Sequence, residues 1–315
     1  MIDALLIVVP IFALVVVGWL AGRLRLLGPH AASELNRFVV WLALPALMFN
    51  VIATADWQAL WQPGFIATFG LSAGVSMAVA LLVCWRRHGR LTDAAIDALN
   101  SAYSNVGFVG FPIALLALGQ AALVPATIAA IITMCVVFAA TIVLIEAGLR
   151  NEPHWLKLGL KVGGTLARNP ILSASAAGAI WMSLGIALPA SAQTFFNLLG
   201  GAASPCALVA LGLFLSGRRA AEPASAPRHH SITAALVGCK LVLHPFLAWV
   251  LARFAFDLST FMTQAVVLMA ALPAGTGGFM LANYYGRDAN ASSQAILAST
   301  VLSVASIAIV LNALS

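Results

Sequence analysis

Charged side chains are scarce in this sequence. Asp, Glu, Lys and Arg make up 8% of its 315 residues, whereas hydrophobic residues make up 62%. A soluble domain carries about 25% charged residues, so this composition excludes a soluble globular protein. The net charge of +6 does not indicate a nucleic-acid partner, because the basic residues lie in short connections between apolar runs. The chain is therefore predicted to be an all-α polytopic membrane protein that lies in the lipid bilayer.

The sequence also lacks the motifs of several kinds of chemical site. Its four cysteines fall within apolar runs without CxxC or metal-ligand spacing, so neither a metal site nor a cofactor is expected. No P-loop, HExxH or GxSxG motif occurs, and the chain is not expected to be an enzyme. The first ten residues, MIDALLIVVP, contain no basic segment, so we expect a retained membrane span rather than a cleaved signal peptide.

Apolar runs long enough to cross a membrane, which takes about 20 residues, follow one another along the chain. Basic residues cluster at every second connection, and this positive-inside pattern places both termini outside the cell. The fifth connection, residues 150–169, mixes Trp155 with Lys157 and Lys161, which predicts a cytoplasmic interfacial linker. The ten predicted spans are 3–22, 33–54, 64–85, 94–118, 122–148, 170–188, 194–216, 231–252, 259–284 and 291–314.

Matched prolines indicate that the two halves of the chain are repeats. Pro45 and Pro205 lie 160 residues apart in the second and seventh spans, and Pro112 and Pro273 lie 161 residues apart in the fourth and ninth. Each half contains five spans, an odd number, so homologous halves must have opposite topologies. Inverted repeats with interrupted helices in matching positions are typical of secondary transporters and mark their binding sites. The predicted parts are a first inverted repeat, the linker and a second inverted repeat, residues 1–149, 150–169 and 170–315.

Polar residues and glycines interrupt the fourth span in the stretch SAYSNVGFVGFPI, residues 101–113, and the ninth span in ALPAGTGGF. Half-helices starting near Pro112 and near Gly275 would each direct a positive N-terminus at the bilayer centre, and such ends bind carboxylates and phosphates. Asn105 is the main side-chain candidate, because its amide can donate to a carboxylate. Its alternative role is a helix-capping or interhelical hydrogen bond at the break. The full set of predicted substrate-binding residues is Asn105, Ser104, Tyr103, Gly107, Pro112, Pro273, Gly275, Thr276, Gly277 and Asn50.

Ionisable residues are nearly absent from the predicted spans. No acidic residue lies at the centre of a span, and Asp97 and Glu146 come nearest. A sodium/proton antiporter needs a carboxylate within the membrane, so this absence favours an anionic substrate. Lys240 and His244 stand four residues apart on one helix face, which makes them candidates for proton or anion coupling. The alternatives are that Lys240 snorkels to the cytoplasmic surface and that His244 hydrogen-bonds a neighbouring helix.

Four segments resemble the auxin efflux carrier family of permeases, whose bacterial members include malonate or malate carriers. They are LNRFVVWLALPALMFNV, NVGFVGFP, CKLVLHP and ALPAGTGGFMLANYYG, and the resemblance extends over essentially the whole chain. It implies a scaffold of spans 1, 2, 6 and 7, a transport domain of spans 3–5 and 8–10, and a substrate site where the broken spans 4 and 9 cross. It also implies a homodimer in the bacterial inner membrane. One difference is that Thr276 is the single polar side chain of PAGTGGF, where many relatives carry asparagine.

The predicted function is secondary transport of small organic anions, such as mono- or dicarboxylates or auxin-like acids, by elevator-like or rocking alternating access. Protons and sodium are candidate coupling ions, and uncoupled transport is the third option. Two alternatives stay open: a sodium/proton antiporter of the same fold, and a membrane sensor that uses the fold only to bind a ligand.

Overall fold

The computed structural model describes residues 2–149, 168–217 and 227–314. Within these ranges the secondary structure is helical, apart from the connections and one isolated β-bridge. The prediction of an all-α protein is therefore confirmed. The predicted linker lies outside the described residues except for Arg168 and Asn169.

Each predicted span falls on one helix or on two shorter helices. Among the described residues, six helices, α2, α3, α6, α8, α9 and α12 as bounded below, are long and apolar enough to cross a membrane alone, while the count of ten spans stays a prediction. The helices are α1 (Ile2–Arg23), α2 (Ala31–Ala53), α3 (Pro63–His88), α4 (Leu91–Leu99), α5 (Phe111–Leu118), α6 (Gln120–Gly148), α7 (Pro170–Ser183), α8 (Ala190–Ser216), α9 (Ser231–Ala255), α10 (Thr260–Ala271), α11 (Gly277–Tyr284) and α12 (Asn290–Leu314).

Three π turns stand immediately before prolines. The residue that follows each turn donates its N–H to the carbonyl five residues back, and the proline comes next, in the first turn of the following α-helical stretch. Proline has no N–H, and in an α-helix its ring clashes with the carbonyl four residues back. The wider π turn removes that clash, so the helix continues through the proline. The three turns are Val39–Ala43 before Pro45, Val106–Gly110 before Pro112 and Cys239–Leu243 before Pro245.

Small residues allow α1 and α8 to approach closely. A Cβ added to Gly212 on α8 would overlap the backbone of Val15 and lie 2.7 Å from Trp19 N. A Cβ added to Gly18 on α1 would likewise overlap the backbone of Val209. Close packing of small residues is a common basis of helix association in membranes. Because α2 also packs against α7 and α8, helices α1, α2, α7 and α8 form one connected group.

The remaining helices form a second connected group, in which α3 packs on α4, α4 on α6, and α9 on α10 and α12. Side-chain contacts join this group to the first. Cys135 Sγ on α6 lies 3.3 Å from Ser175 Oγ on α7. Asn36 Nδ2 on α2 lies 3.4 Å from the carbonyl oxygen of Met280 on α11. These two groups contain the helices that we assigned to the scaffold and to the transport domain, and their division into moving bodies stays a prediction.

A partly buried ion pair joins the start of α4 to the connection between α11 and α12. Arg287 Nε and Nη2 each donate to an Asp93 carboxylate oxygen at 2.7 Å, which raises the pKa of the Arg287 guanidinium. Two parallel charge-assisted bonds fix the geometry. We expect Asp93→Asn to lower the free energy of unfolding in detergent by about 1 kcal/mol, measured by thermal or denaturant unfolding.

A double-mutant cycle on Asp93 and Arg287 provides the control for this prediction. Arg287→Gln should lower the free energy of unfolding about as much as Asp93→Asn, and the double variant should lose little more than either single variant. Simple addition of the two losses would show that Asp93 and Arg287 do not stabilise the fold together.

Candidate functional site

The breaks in the two interrupted spans meet in an antiparallel β-bridge between Ser104 and Ala274. Asn105 N donates to the Pro273 carbonyl at 2.9 Å, and Gly275 N donates to the Tyr103 carbonyl at 2.8 Å. Backbone groups freed by a break need a partner where water is absent. Here the two breaks satisfy part of each other's hydrogen bonding. The bridge thereby holds five predicted site residues together, namely Tyr103, Ser104, Asn105, Pro273 and Gly275.

The first break lies earlier in the chain than we predicted. Helix α4 ends at Leu99, and the helical path resumes at Val106, six residues before Pro112. The α-helical part of this half-helix, α5, does begin near Pro112, at Phe111, but the π turn extends its helical path back to Val106. The N–H groups of Val109 and Gly110 both bond the Asn105 carbonyl at 3.1 Å. The N-terminus at this break is consequently formed around Asn105.

The second break runs from Leu272 to Thr276. Helix α11 begins at Gly277, close to the predicted start near Gly275, and Thr276 is its N-cap residue. The Thr276 side chain makes no capping bond, and its Oγ1 lies 3.4 Å from Met280 Sδ. The first N–H groups of a helix have no partner within the helix and carry a positive partial charge. Two such ends therefore flank the β-bridge.

Only a few residues at the two breaks have exposed surface. Asn105, Gly107 and Thr276 are partly exposed, whereas the other residues of 100–107 and 272–277 are buried. The Asn105 side chain makes no capping bond to its helix, so the alternative role as a helix cap is wrong. An amide beside two helix N-termini can donate to an anion that enters at this point.

Tyr103 fills the space above the glycines of the second break. Its side chain is buried, and its ring centroid lies 6.0 Å from that of Phe138. A Cβ added to Gly275 would lie 2.8 Å from Tyr103 Cδ1, and one added to Gly277 would lie 3.0 Å from Tyr103 Cε2. These glycines therefore allow the ring to pack directly against the second break.

Gly275→Ala is expected to destabilise the protein, because the added methyl group must displace Tyr103 or the bridged backbone. Overpacking of this kind costs about 1–3 kcal/mol, and the thermal midpoint in detergent measures it. Gly74→Ala on α3 is the matched control, since a Cβ there meets nothing within 4 Å. Equal stability of the two variants would contradict the close packing of Tyr103 on Gly275.

Lys240 lies in the interior and connects both breaks. Its Nζ donates to Ser104 Oγ at 2.9 Å and to the Ala270 carbonyl at 2.6 Å, and lies 3.2 Å from His244 Nδ1. Lys240 and His244 are both 0% exposed, so the expectation of a snorkelling lysine is wrong. Ser104 is equally buried, which places its hydroxyl in the lysine site and not at the opening beside Asn105.

His244 contacts Lys240 on its own helix rather than a polar group of another helix. Its ring centroid lies 5.5 Å from that of Phe69 on α3. Among the residues that the structure describes, its Nε2 is buried without a hydrogen-bond partner. The predicted pair of Lys240 and His244 is thus held in direct contact.

One predicted site residue lies outside this cluster. Asn50 Nδ2 donates to Asn197 Oδ1 at 2.7 Å and so joins α2 to α8. Ser101, which lies in the same interrupted stretch as Asn105, is fully buried, and its hydroxyl bonds the Ala98 carbonyl at 2.7 Å. Both side chains use their hydrogen bonds for helix packing and helix termination.

Sequence reasoning missed three polar residues that support the breaks. Ser76 Oγ lies 3.1 Å from the carbonyls of both Ser101 and Cys239. Ser299 Oγ accepts from Ala274 N at 3.0 Å, and Asn100 Nδ2 donates to Ser292 Oγ at 2.8 Å. The available signal was a small polar residue inside an apolar span, which is the usual mark of a helix contact in membranes.

The two acidic residues nearest a span centre, Asp97 and Glu146, are both buried. Glu146 accepts from the Tyr285 hydroxyl at 3.2 Å, and Ser292 Oγ lies 3.4 Å from Asp97 Oδ1. Burial, with the neighbouring Glu146, raises the pKa of Tyr285. Within the described ranges, no group of three or more His, Cys, Asp or Glu side chains could hold a metal ion.

Sequence comparison relates the chain to a family of membrane transport proteins. A family model described as "Membrane transport protein" matches residues 4–311. A "Putative malonate transporter" of Rhizobium meliloti (strain 1021) is 31% identical over 307 residues, which cover 96% of this chain and 92% of the relative. An "Uncharacterized transporter" of Methanothermobacter thermautotrophicus is 28% identical over 308 residues, 95% of each chain. The "Uncharacterized transporter YfdV" of Escherichia coli (strain K12) is 26% identical over 291 residues, 90% of each chain.

Proposed function

Because the chain belongs to this membrane transport protein family, that of the auxin efflux carriers, we propose that it is a secondary transporter of small organic anions. The anion binds where the two broken spans meet and crosses the membrane by alternating access. The observation that carries the proposal is the pairing of two helix N-termini across the β-bridge, with the partly exposed Asn105 and Thr276 beside them. Helix N-termini inside a membrane suit the negative groups of a substrate.

The proposed architecture is ten spans arranged as two inverted repeats, residues 1–149 and 170–315. Two features support it. The interrupted helices occupy the fourth place of the first repeat and the fourth place of the second, and each repeat places a long helix before and after its interrupted pair. The close packing of α1 with α8 and of α2 with α7 suits a scaffold, against which α3–α6 and α9–α12 would move as the transport domain.

Substrate binding in this proposal uses few side chains. The Asn105 amide and the N–H groups near Gly107 and Gly277 would donate to a carboxylate, while the Thr276 hydroxyl offers one further bond. Pro273 ends α10 and so frees backbone groups at the site, whereas Pro112 keeps the helix after the π turn in place. Asn50 is left out of the binding set, because its amide bonds Asn197.

We further propose that the protein is a homodimer in the bacterial inner membrane with both termini outside. The basic connections support this orientation. The exposed apolar side chains Phe195 and Leu198 on α8 support a membrane-embedded scaffold surface, which either lipid or a second copy would cover. The mass of the purified complex measured by native mass spectrometry tests the dimer, and labelling of cysteines introduced at the termini from either side tests the orientation.

The proposed function is tested by uptake into proteoliposomes. Labelled malonate is the first substrate, because one relative is named for malonate transport, followed by malate, pyruvate and indole-3-acetate. Imposed proton, sodium and voltage gradients identify the coupling ion. Saturable flux of at least one anion supports the proposal. Binding without flux would instead identify a sensor, and exchange of protons for sodium without an organic anion would identify an antiporter.

A further inference from the structure

The Lys240 amino group is buried, and its neighbours among the described residues are uncharged polar groups. Among the described residues no carboxylate lies within 4.0 Å of its Nζ, yet the side chain is 0% exposed. Its contacts are a carbonyl oxygen, a hydroxyl oxygen and an imidazole nitrogen, at 2.6, 2.9 and 3.2 Å. An ammonium group has three protons to donate, and these three acceptors match that number.

The carbonyl contact explains what balances the charge of this lysine. Ala270 is the penultimate residue of α10, so its carbonyl is one of the last four that lack a partner within the helix. Such a helix end carries about −0.5 elementary charge. The C-terminal end of α10 thus provides a negative potential at the Lys240 amino group.

The oxygen contacts of Nζ are those of a transported or coupling cation. In secondary transporters, unwound backbone carbonyls and the C-terminal ends of half-helices coordinate Na⁺ or protons. Here the carbonyl at the end of α10 and the hydroxyl of the first break both contact the amino group of a side chain of the protein itself. Ser76 Oγ adds to the same arrangement, because it bonds the carbonyl of Cys239, the residue before Lys240.

We propose that the Lys240 ammonium is a tethered internal cation that takes the place of a dissociable coupling cation, so that anion transport does not require sodium. This inference rests on the proposed transport function. Lys240 is a positioning residue: it holds Ser104 and the end of α10 in the geometry that directs the opposite helix N-termini at the substrate. His244 accepts the third proton of the ammonium through Nδ1 and so fixes its direction.

Two substitutions of Lys240 test whether a free sodium ion can replace its charge. Lys240→Ala removes the charge and leaves space at the oxygen ligands, whereas Lys240→Met removes the charge but keeps a side chain of similar length in that space. Malonate flux is measured with sodium chloride and with choline chloride, and the melting temperature is measured in detergent with the same two salts. The melting measurement reports cation binding without any substrate, because a bound ion stabilises the folded state.

For the wild-type protein we expect flux to change by less than about twofold between the two salts and the melting temperature to be unaffected. Lys240→Ala should lose at least about tenfold in flux with choline and regain part of it with sodium, which should also raise its melting temperature. Lys240→Met should stay inactive in both salts.

Two results would overturn the inference: a sodium requirement of the wild-type flux or melting temperature, or a Lys240→Ala variant that responds to sodium no more than Lys240→Met. If a variant does not fold, the flux and melting temperature of the wild-type protein in the two salts still test the inference. Absence of flux for every anion by the wild-type protein would refute the transport function instead, and the melting comparison would still test the tethered cation.

Discussion

Oxidation of a Ser175→Cys variant is expected to stop transport, and reduction should restore it. The native Cys135 Sγ lies 3.3 Å from the Ser175 hydroxyl, so a thiol at position 175 would face a thiol across the boundary between α6 and α7. We assigned α6 to the transport domain and α7 to the scaffold. A covalent link between them prevents the relative movement that alternating access requires, so flux should fall about tenfold when about 90% of the protein is crosslinked.

The measurement compares uptake of the transported anion in oxidised and reduced proteoliposomes, with the crosslinked fraction determined by mass spectrometry of the Cys135 peptide. Cys135→Ser combined with Ser175→Cys is the control, because it keeps the new thiol but cannot form the bond. The other native cysteines, Cys84, Cys206 and Cys239, are present in both proteins. Full transport by the crosslinked protein would show that α6 and α7 do not move apart, and the proposed division into scaffold and transport domain would be wrong.

Asn105→Asp is expected to abolish anion transport at pH 8, whereas Asn105→Ala should only weaken it. An aspartate would place a negative charge where the substrate carboxylate binds. Two unit charges about 4 Å apart repel by about 4 kcal/mol at an effective dielectric constant of about 20, which corresponds to about a thousandfold loss in kcat/KM. Asn105→Ala removes one hydrogen bond to a charged group, worth about 1.5–3 kcal/mol, or about ten- to a hundredfold.

Asn283→Asp is the matched control for this substitution. Asn283 is also partly buried on a broken span, but its amide bonds the Phe279 carbonyl of its own helix at 2.9 Å. Both variants are compared by initial uptake rate at equal amounts of folded protein. If Asn105→Asp transports the anion as well as Asn283→Asp does, the substrate does not bind beside Asn105.

The positions of the helices could be predicted from the sequence, because apolar runs in this chain are long and their ends are marked by basic or turn residues. The location of the first break could not be predicted. Pro112 is compatible with a helix that starts at the proline and with a π turn that carries the helix across it. Only the hydrogen bonds from Val109 and Gly110 to the Asn105 carbonyl show which of the two occurs.

The role of Lys240 also depended on information that no local pattern contains. The spacing of Lys240 from His244 correctly indicated that the two side chains share a helix face. A buried lysine and a lysine that snorkels to the surface have the same sequence pattern, however, so the sequence did not distinguish them. The contacts that distinguish them reach Ala270, 30 residues away, and Ser104, 136 residues away. Asn50 is the opposite case. We predicted a binding role because the residue is polar, but its side chain hydrogen-bonds Asn197 on α8 and so serves helix packing.

The π turns before Pro45 and Pro245, which have α-helix on both sides, have a consequence for the rotational phase of these helices. Each turn accommodates one residue more than an α-helical turn, and one residue corresponds to about 100° of rotation about the helix axis. Side chains after each turn therefore point in a direction offset from that of an uninterrupted helix. A helical wheel drawn through residues 39–43 or 239–243 assigns the wrong faces downstream, and a one-residue deletion there would rotate the rest of the helix against its neighbours.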